Sequence, residues 1–237
     1  MDCARISTLL EPFLASPLAD EALGQISTYI DLLLRWNARV NLTALRSEED
    51  IVTRHFGESF FLARHVLAPV TPPSHALPHD VLPQADQKPG PARDLAHRLQ
   101  VIDVGSGAGF PGLPLKIWDP AIDLTLIEAN HKKAAFLRET IRALRLMNVN
   151  VLAARAETLA TQSGFTTAGL VTLRAVEHFE AIVPVATNLV APGGRLALLI
   201  GSSQVQSLTS LAPEVAWQSP VPIPRSQSRV LTLGSKK

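Results

Sequence analysis

Cysteine, net charge and long apolar runs are all scarce in this chain. Cys3 is the only cysteine, so no disulfide bond can form within the chain, as is typical of a reducing compartment. No apolar run approaches the ~20 residues that a membrane-spanning helix needs, and Asp2, Arg5 and Glu11 interrupt any apolar core of a signal peptide. We therefore expect a cytoplasmic protein without membrane contact, and further a monomer without a bound metal.

The net charge of +1 does not by itself indicate a nucleic acid partner, because such a partner needs basic residues gathered on one face. Hydrophobic residues make up 46% of the 237 residues, which is enough for a sizeable core. The length fits one large domain, or one domain with a small appendage.

The chain divides into three parts by its sequence pattern. Residues 1–68 have apolar residues at helical spacing, which predicts an N-terminal helical subdomain. Residues 69–99 are predicted to be a linker or surface loop, because seven of the 18 prolines lie there and neither a helix nor a central strand can continue through them. Residues 100–237 alternate short apolar runs with helical segments, as a cofactor-binding α/β domain does.

Two helices are predicted in the N-terminal part. The first covers residues from about 20 to 40, with Asp20 as its N-cap. The second follows Ser47, whose S-x-x-D spacing to Asp50 is typical of a capping box. Trp36 is interpreted as a helix-packing residue rather than a base-stacking platform. His55 is interpreted as a packed or capping histidine rather than a catalyst.

The C-terminal part predicts an α/β fold with a doubly wound, mostly parallel sheet, because strands that alternate with helices form βαβ units covered on both faces. The predicted strands span residues 101–104, 124–127, 150–154, 170–173 and 195–200. The predicted helices lie between them, from about 112, over 131–146 and over 177–190. A turn is expected at 192–194 and a last strand, over 229–233, at the sheet edge. Residues 201–225 are too weakly patterned to place.

The strand at 101–104 runs directly into a turn with glycines at 105, 107, 109 and 112. Because they lack a Cβ, Gly105 and Gly107 allow the backbone to approach a ligand closely. Glu128 ends the next apolar run, near the ~20-residue offset at which an acid reaches the ribose of a bound nucleoside. These residues predict a nucleoside-containing cofactor, with a solvated strand-end acid as the alternative for Glu128.

The class of cofactor depends on the helix that follows the turn. Residues 107–112 satisfy G-x-G-x-x-G, but Pro111 and Pro114 remove N–H groups that the pyrophosphate of a dinucleotide would need. Asp103 places a carboxylate at the mouth of the turn, where it suits a cation such as S-adenosyl-L-methionine. The spacing D-x-G-x-G-x-G resembles motif I of the class I methyltransferases. S-adenosyl-L-methionine is therefore favoured over a dinucleotide and over a turn without a ligand.

Further candidate contacts follow the third and fourth strands, where ligands of such sheets bind. Ala156 and Glu157 lie where this architecture contacts adenine; the alternative is a first-turn acid favoured by the helix dipole. Arg174 ends the apolar run 170–173, and its guanidinium needs acceptors. The acceptor can be a cofactor carboxylate, an RNA phosphate or the carboxylate of an acid such as Glu157 in a structural salt bridge.

Basic residues are gathered on the predicted helix after the second strand. Lys132, Lys133 and Arg138 are candidate contacts for RNA phosphates. Arg138, Arg142 and Arg145 have the spacing i, i+4, i+7, which predicts that they share one face. A solvated face of an amphipathic helix is the alternative.

Several motifs are specific in combination. They are Arg35-Trp-Asn-Ala-Arg-Val-Asn-Leu-Thr43, His55-Phe-Gly-Glu-Ser59 and Asp103-Val-Gly-Ser-Gly-Ala-Gly-Phe-Pro-Gly-Leu-Pro114. With Leu126-Ile-Glu-Ala-Asn-His-Lys-Lys133, Arg155-Ala-Glu157 and Arg174-Ala175 in order after them, the chain resembles the bacterial glucose-inhibited division protein B family. This family comprises the small-subunit rRNA (guanine-N7) methyltransferases G.

The resemblance implies a Rossmann-like class I methyltransferase that uses S-adenosyl-L-methionine to methylate guanine N7 in the 16S rRNA of the small ribosomal subunit. It implies cofactor contacts at five matching positions: Gly105, Phe110, Ala156, Glu157 and Arg174. No catalytic base is expected, because guanine N7 has a lone pair and carries no proton. From the residues alone, a dinucleotide-dependent oxidoreductase and a non-catalytic RNA-binding module stay open.

The chain departs from the family pattern at three positions. Glu58 stands where the family commonly has Asp, Asn130 where it commonly has Ser, and Leu173 where it commonly has Ser before the arginine. These departures bear on the RNA contacts more than on methyl transfer.

Overall fold

A computed structural model describes residues 1–67, 98–175 and 178–237 of the chain. The linker predicted over residues 69–99 lies outside the described residues, apart from its last two. No helix in the part of the chain that the structure describes is long and apolar enough to cross a membrane.

The N-terminal part is helical, as the apolar spacing predicts. Its elements are α1 (Cys3–Leu10), a 3₁₀ turn (Glu11–Phe13), α2 (Asp20–Asn37), α3 (Glu48–Asp50), a π-helical segment (Ile51–Gly57) and α4 (Glu58–Val66). Ser47 caps α3 by accepting a hydrogen bond from the Asp50 N–H at 3.0 Å, as predicted, but the capping box is not completed, because the Asp50 carboxylate accepts from the Ser47 hydroxyl at 2.8 Å and not from its backbone N–H. Asp20 as an N-cap is wrong: Ala19 is the N-cap of α2, and Asp20 lies in the first turn, where its charge suits the helix dipole.

The C-terminal part builds an eight-stranded sheet. Its strands are β1 (Gln100–Val104), β2 (Asp123–Ile127), β3 (Val149–Leu152), β4 (Ala168–Arg174), β5 (Val190–Gly201), β6 (Val215–Trp217), β7 (Val221–Pro222) and β8 (Arg229–Lys236). The strand order is β3-β2-β1-β4-β5-β8-β6, with β7 also paired to β8. Strands β1 to β5 are mutually parallel, and β6, β7 and β8 are antiparallel to their partners. This confirms the predicted mostly parallel sheet.

Helices cover both faces of the sheet. They are α5 (Gly112–Trp118), α6 (His131–Ala143), α7 (Ala156–Ala160), α8 (Phe179–Asn188) and α9 (Leu208–Leu211). Successive residues of β1 pack on opposite faces: Val101 belongs to the cluster with α5, α6 and the N-terminal helices, and Ile102 belongs to the cluster with α7 and α8. Burial on both faces explains why apolar residues predominate in the central strands β1, β4 and β5.

Three predictions for the C-terminal part are corrected. Strand β8 is not an edge strand, because it lies between β5 and β6. Residues 192–194 do not form a turn before the strand; they lie within β5, whose pairing with β4 shifts register between Ala168 and Leu170. Arg145 does not continue the basic face, because α6 ends at Ala143 and Arg145 has a left-handed φ of 53°.

The N-terminal helices and the sheet share one hydrophobic cluster. Tyr29 of α2 lies at their junction, where it is fully buried and its hydroxyl donates a hydrogen bond to the Ala108 carbonyl of the glycine-rich turn. Its ring stacks on Phe110, with ring centroids 5.2 Å apart. The helical part therefore supports the turn directly.

We predict that Tyr29→Phe lowers the free energy of unfolding by about 1–3 kcal/mol, because the buried Ala108 carbonyl loses its donor while the aromatic stack is kept. Urea denaturation measures this change. Thr28→Val is the matched control, since the Thr28 hydroxyl donates only to the Gly24 carbonyl within α2 and is exposed. Equal stability of Tyr29→Phe and wild type would show that the hydroxyl does not support the turn.

Candidate functional site

A cavity of about 430 Å³ opens at the carboxyl ends of β1, β2 and β4. Such an edge is where ligands of parallel α/β sheets bind. Every residue predicted to contact the cofactor lines this cavity: Gly105, Gly107, Phe110, Glu128, Ala156, Glu157 and Arg174. Leu42 and His55 of the N-terminal part complete its wall.

The glycine-rich turn needs glycine at specific positions. Gly105, Gly107 and Gly109 have φ values of 67°, 55° and 90°, in the left-handed region that other residues rarely adopt. A Cβ at Gly109 would overlap the Tyr29 hydroxyl. The turn is tied to β2 by the Ser106 N–H, which donates to the Ile127 carbonyl at 3.0 Å.

The start of α5 presents no free N–H group to a phosphate. Pro111 and Pro114 have no N–H. The Gly112 N–H donates to Asp103 Oδ2 at 3.3 Å, and the Leu113 N–H donates to the Gly109 carbonyl at 2.8 Å. The pyrophosphate of a dinucleotide therefore finds no donor here, as the two prolines predict.

Asp103 does not line the cavity, which corrects the prediction that its carboxylate lies at the mouth of the turn. Its side chain is fully buried, and it accepts hydrogen bonds from the Thr172 hydroxyl at 2.7 Å and from the Gly112 N–H. Burial raises the pKa of Asp103 to about 6, and these donors partly oppose that rise. Side-chain alternation in β1 is the signal for this placement, because it puts Asp103 on the same face as Val101.

Glu128 is held rigidly at the end of β2. Its Oε2 accepts from the Gly107 N–H at 2.8 Å and its Oε1 from the Asn130 N–H at 2.7 Å. A carboxylate offers further lone pairs, so each oxygen can still accept from a hydroxyl of a ribose diol. Asn130, which replaces the common Ser, caps α6 by accepting from the N–H groups of Lys132 and Lys133.

Ala156 and Glu157 open α7 directly after β3. Ala156 is buried, and its small side chain leaves room beside the cavity. Glu157 is exposed and also lines the cavity. This position suits backbone contact with a flat ring, and Glu157 also lies in the first turn of α7, where its charge suits the helix dipole.

Arg174 lies at the end of β4 with its side chain 7% exposed. Its Nη2 is 3.3 Å from Glu58 Oε2 and donates to the Arg54 carbonyl at 2.8 Å; its Nη1 is 2.8 Å from His55 Nδ1. Burial lowers the pKa of Arg174 to about 10, and the Glu58 carboxylate acts against this shift. A structural salt bridge therefore exists, but its acid is Glu58 and not Glu157.

His55 is a cavity residue that the sequence interpretation did not assign to the site. Its ring stacks on Phe110 with centroids 4.5 Å apart, and its Nε2 is 2.8 Å from the Thr43 hydroxyl. Burial, followed by the charge of Arg174, lowers the pKa of His55 well below its usual value, so the ring is neutral. The structure confirms that His55 is a packed histidine, and it also places His55 in the cavity wall, which the sequence did not predict. The sequence signal for this placement was the motif His55-Phe-Gly-Glu-Ser59, to which no role had been assigned.

Of the basic residues predicted to contact RNA, only Lys133 lines the cavity. Lys132 is exposed at the start of α6. The guanidinium of Arg138 donates to the Val151 carbonyl at 3.2 Å, so part of its donor capacity is used within the fold. Trp36 packs edge-on against Phe136 with ring centroids 5.8 Å apart, which supports its interpretation as a packing residue.

Comparison with known proteins identifies the family. The GidB family model, described as rRNA small subunit methyltransferase G, matches residues 92–224. A relative of that name from Chloroflexus aggregans is 36% identical over 93% of this chain and 84% of its own length. Another, from Xanthomonas axonopodis pv. citri, is 32% identical over 87% of this chain and 82% of its own.

The solved structure of a putative transferase from Pyrococcus horikoshii superposes with a TM-score of 0.50 over 59% of this chain and 58% of that chain, at 17% identity. At this identity the likeness shows the fold alone, which agrees with the Rossmann-like, mostly parallel sheet described above. Together with the two relatives and the family model, the motifs and the fold lead to one assignment. The chain belongs to the GidB family, the rRNA small subunit methyltransferases G.

Proposed function

We propose that this chain methylates N7 of a guanine in the 16S rRNA of the small ribosomal subunit, with S-adenosyl-L-methionine as the methyl donor. The observation that carries the proposal is Glu128, held by two backbone N–H groups at the wall of a cavity of about 430 Å³ beside the glycine-rich turn. The names of the relatives support rRNA as the class of substrate.

The residues of the cavity fit S-adenosyl-L-methionine. Glu128 can accept from the ribose diol, and Gly105 and Gly107 leave the turn open to close approach. Ala156 leaves space for the adenine ring, and Arg174 offers a cation to the amino acid carboxylate. When bound, the cofactor supplies an electrophilic methyl group on a sulfonium.

Guanine N7 suits this cavity because its in-plane lone pair attacks without loss of a proton. Both ring nitrogens of His55 are engaged, by Arg174 and by Thr43, so His55 is not free to act as a base. Catalysis then depends on alignment of the two reactants, which can contribute roughly 7–11 kcal/mol at its limit. Glu157, exposed at the cavity wall, can offset the positive charge of the product guanine.

RNA phosphates are proposed to contact Lys132, Lys133 and Arg138. Lys133 supports this directly, because it lies both on α6 and in the cavity wall. Phosphate contacts by such residues position the RNA without reading its sequence. The target base must be splayed out of any helix to reach the cavity, so a loop or a partly assembled particle is the expected substrate.

Two other functions are opposed by specific observations. A dinucleotide-dependent oxidoreductase would need donors for a pyrophosphate at the start of α5, where Gly112 and Leu113 already donate within the protein. A non-catalytic RNA-binding module would need no buried acid such as Glu128 at the end of β2.

Mass mapping of methylated nucleotides in small-subunit rRNA tests the reaction. We expect cells that lack the protein to lose one N7-methylated guanine and to regain it when the wild-type chain is expressed. Expression of Glu128→Gln should restore less of the modification. An unchanged methylation pattern in cells lacking the protein would contradict the proposed function.

We predict that Glu128→Gln weakens S-adenosyl-L-methionine binding by about 1.5–3 kcal/mol, because hydrogen bonds to a charged acceptor are lost. The side-chain NH₂ group of the glutamine would also lie against one of the two backbone N–H groups that now donate to the carboxylate. Two donors would then meet, and that hydrogen bond would be lost. Isothermal titration calorimetry measures the affinity, and circular dichroism checks the fold. Glu214→Gln, at an exposed position outside the cavity wall, is the matched control. Equal affinities would show that Glu128 only ties the glycine-rich turn to the end of β2 and does not bind the cofactor.

A double substitution, Lys132→Ala with Lys133→Ala, should weaken RNA binding and leave the fold intact. RNA binding releases fewer counterions when a phosphate contact is lost. The slope of log affinity against log salt should therefore become shallower by about 0.7–0.9 for each lost contact. RNA affinity measured across a salt series tests this. Lys237→Ala, exposed at the C-terminus, is the control for general charge loss. If the double variant keeps the wild-type slope, α6 does not contact RNA phosphates.

A further inference from the structure

Arg174 is held by partners that all come from one short segment of the N-terminal part. The guanidinium contacts His55 Nδ1, the Arg54 carbonyl and Glu58 Oε2, whereas Arg174 itself ends β4. His55 and Arg174 are 119 residues apart in the chain. The helical part therefore determines where a charged group of the cavity wall lies.

The Arg54 carbonyl lies in the π-helical segment, at whose end the Glu58 N–H does not donate to it. In an α-helix the N–H of residue 58 would donate to the carbonyl of residue 54. Here the Glu58 N–H donates to the His55 carbonyl, and the Arg54 carbonyl accepts from Arg174 Nη2 at 2.8 Å. Such π-helical turns are rare and occur frequently at functional sites.

The tautomer of His55 follows from its partners. A guanidinium only donates, so Nδ1 must accept from Arg174 and carries no proton. Nε2 then carries the proton and donates to the Thr43 hydroxyl oxygen at 2.8 Å. A neutral ring with this tautomer is what burial beside Arg174 favours.

Thr43 is itself held by Asn37, the C-terminal residue of α2. Asn37 Oδ1 accepts from the N–H groups of Leu42 and Thr43 at 2.9 and 3.1 Å, and its Nδ2 donates to the Thr43 carbonyl at 2.9 Å. Asn37 and Thr43 both belong to the W-N-x-x-x-N-L-T element. This element therefore connects to Arg174 through one continuous series of hydrogen bonds.

We propose that Asn37, Thr43 and His55 form a positioning series that fixes the guanidinium of Arg174 at the cavity wall before the methyl donor binds. The inference rests on the proposed function, in which Arg174 meets the carboxylate of that donor. Arg174 lines the cavity while its guanidinium is held by these partners, and Nη1 and Nη2 carry more N–H groups than the bonds to His55 and Arg54 use. Holding the side chain in advance removes the cost of ordering it on binding.

Calorimetry of S-adenosyl-L-methionine with the full-length chain tests the inference through His55→Phe, which keeps an aromatic ring against Phe110 but removes the acceptor for Arg174. We expect about three- to tenfold weaker binding. In an Arg174→Ala background, His55→Phe should cause no further loss, because its effect passes through Arg174. The same loss in both backgrounds, or no loss in either, would overturn the proposal.

A pair of threonine variants gives a second test if His55→Phe does not fold. Thr43→Val removes the acceptor that orients His55 and should weaken binding about threefold, as partial loss of ordering predicts. Thr53→Val, in the same π-helical segment, removes a hydroxyl that donates to the Glu49 carbonyl and should leave the affinity unchanged. Equal affinities of the two variants would contradict the positioning series.

A spectroscopic measurement requires no ligand. The ¹⁵N shifts of the His55 ring, assigned by comparison with His55→Phe, should show a protonated Nε2 and an unprotonated Nδ1. A proton on Nδ1 would exclude the bond from Arg174 and overturn the proposal. Failure of the wild-type chain to bind S-adenosyl-L-methionine would overturn the proposed function as well, whereas additive losses in the variants would overturn the positioning series alone.

Discussion

The buried carboxylate of Asp103 joins the elements around which the cavity forms. Its two oxygens accept from the Thr172 hydroxyl of β4 and from the Gly112 N–H at the start of α5. The Ser106 hydroxyl donates to the carbonyl of the same residue, so the glycine-rich turn is tied to it as well. Burial raises the pKa of Asp103 to about 6, and satisfying both oxygens limits that cost. The open wall of the cavity thus depends on a residue that does not line it.

The buried charges around Glu58 fix the relative placement of the helical part and the sheet. Glu58 of α4 pairs with Arg174 of β4 and with Arg229 of β8. Burial raises the pKa of Glu58 and lowers that of Arg174 to about 10, so in both groups burial opposes the charged form. Such a pair need not stabilise a fold, but breaking it leaves an uncompensated charge. It joins the helical part to two strands, and Glu in place of the common Asp still reaches both arginines.

Local pattern was sufficient to predict much of the cavity wall. The turn with Gly105 and Gly107 and the acid Glu128 could be predicted because each depends on residues near it in the chain, and backbone conformation and strand ends follow from such spacing. The motif alone predicts Asp103 at the cavity, whereas its position on the face of β1 shared with Val101 puts it in the interior. Residues 201–225 carry no clear pattern, because their short strands exist only through pairing with β8.

The sequence by itself determined the alternation of strands and helices from residue 100 to residue 200, the glycine-rich turn and the family, since these follow from periodicity and from motifs of adjacent residues. Only the tertiary structure decided which acid pairs with Arg174, that His55 lines the cavity, and that β8 lies inside the sheet. These contacts join segments more than a hundred residues apart, or strands whose neighbours depend on packing. Local propensity carries no information on such pairs, because their energies arise only when the whole core has formed.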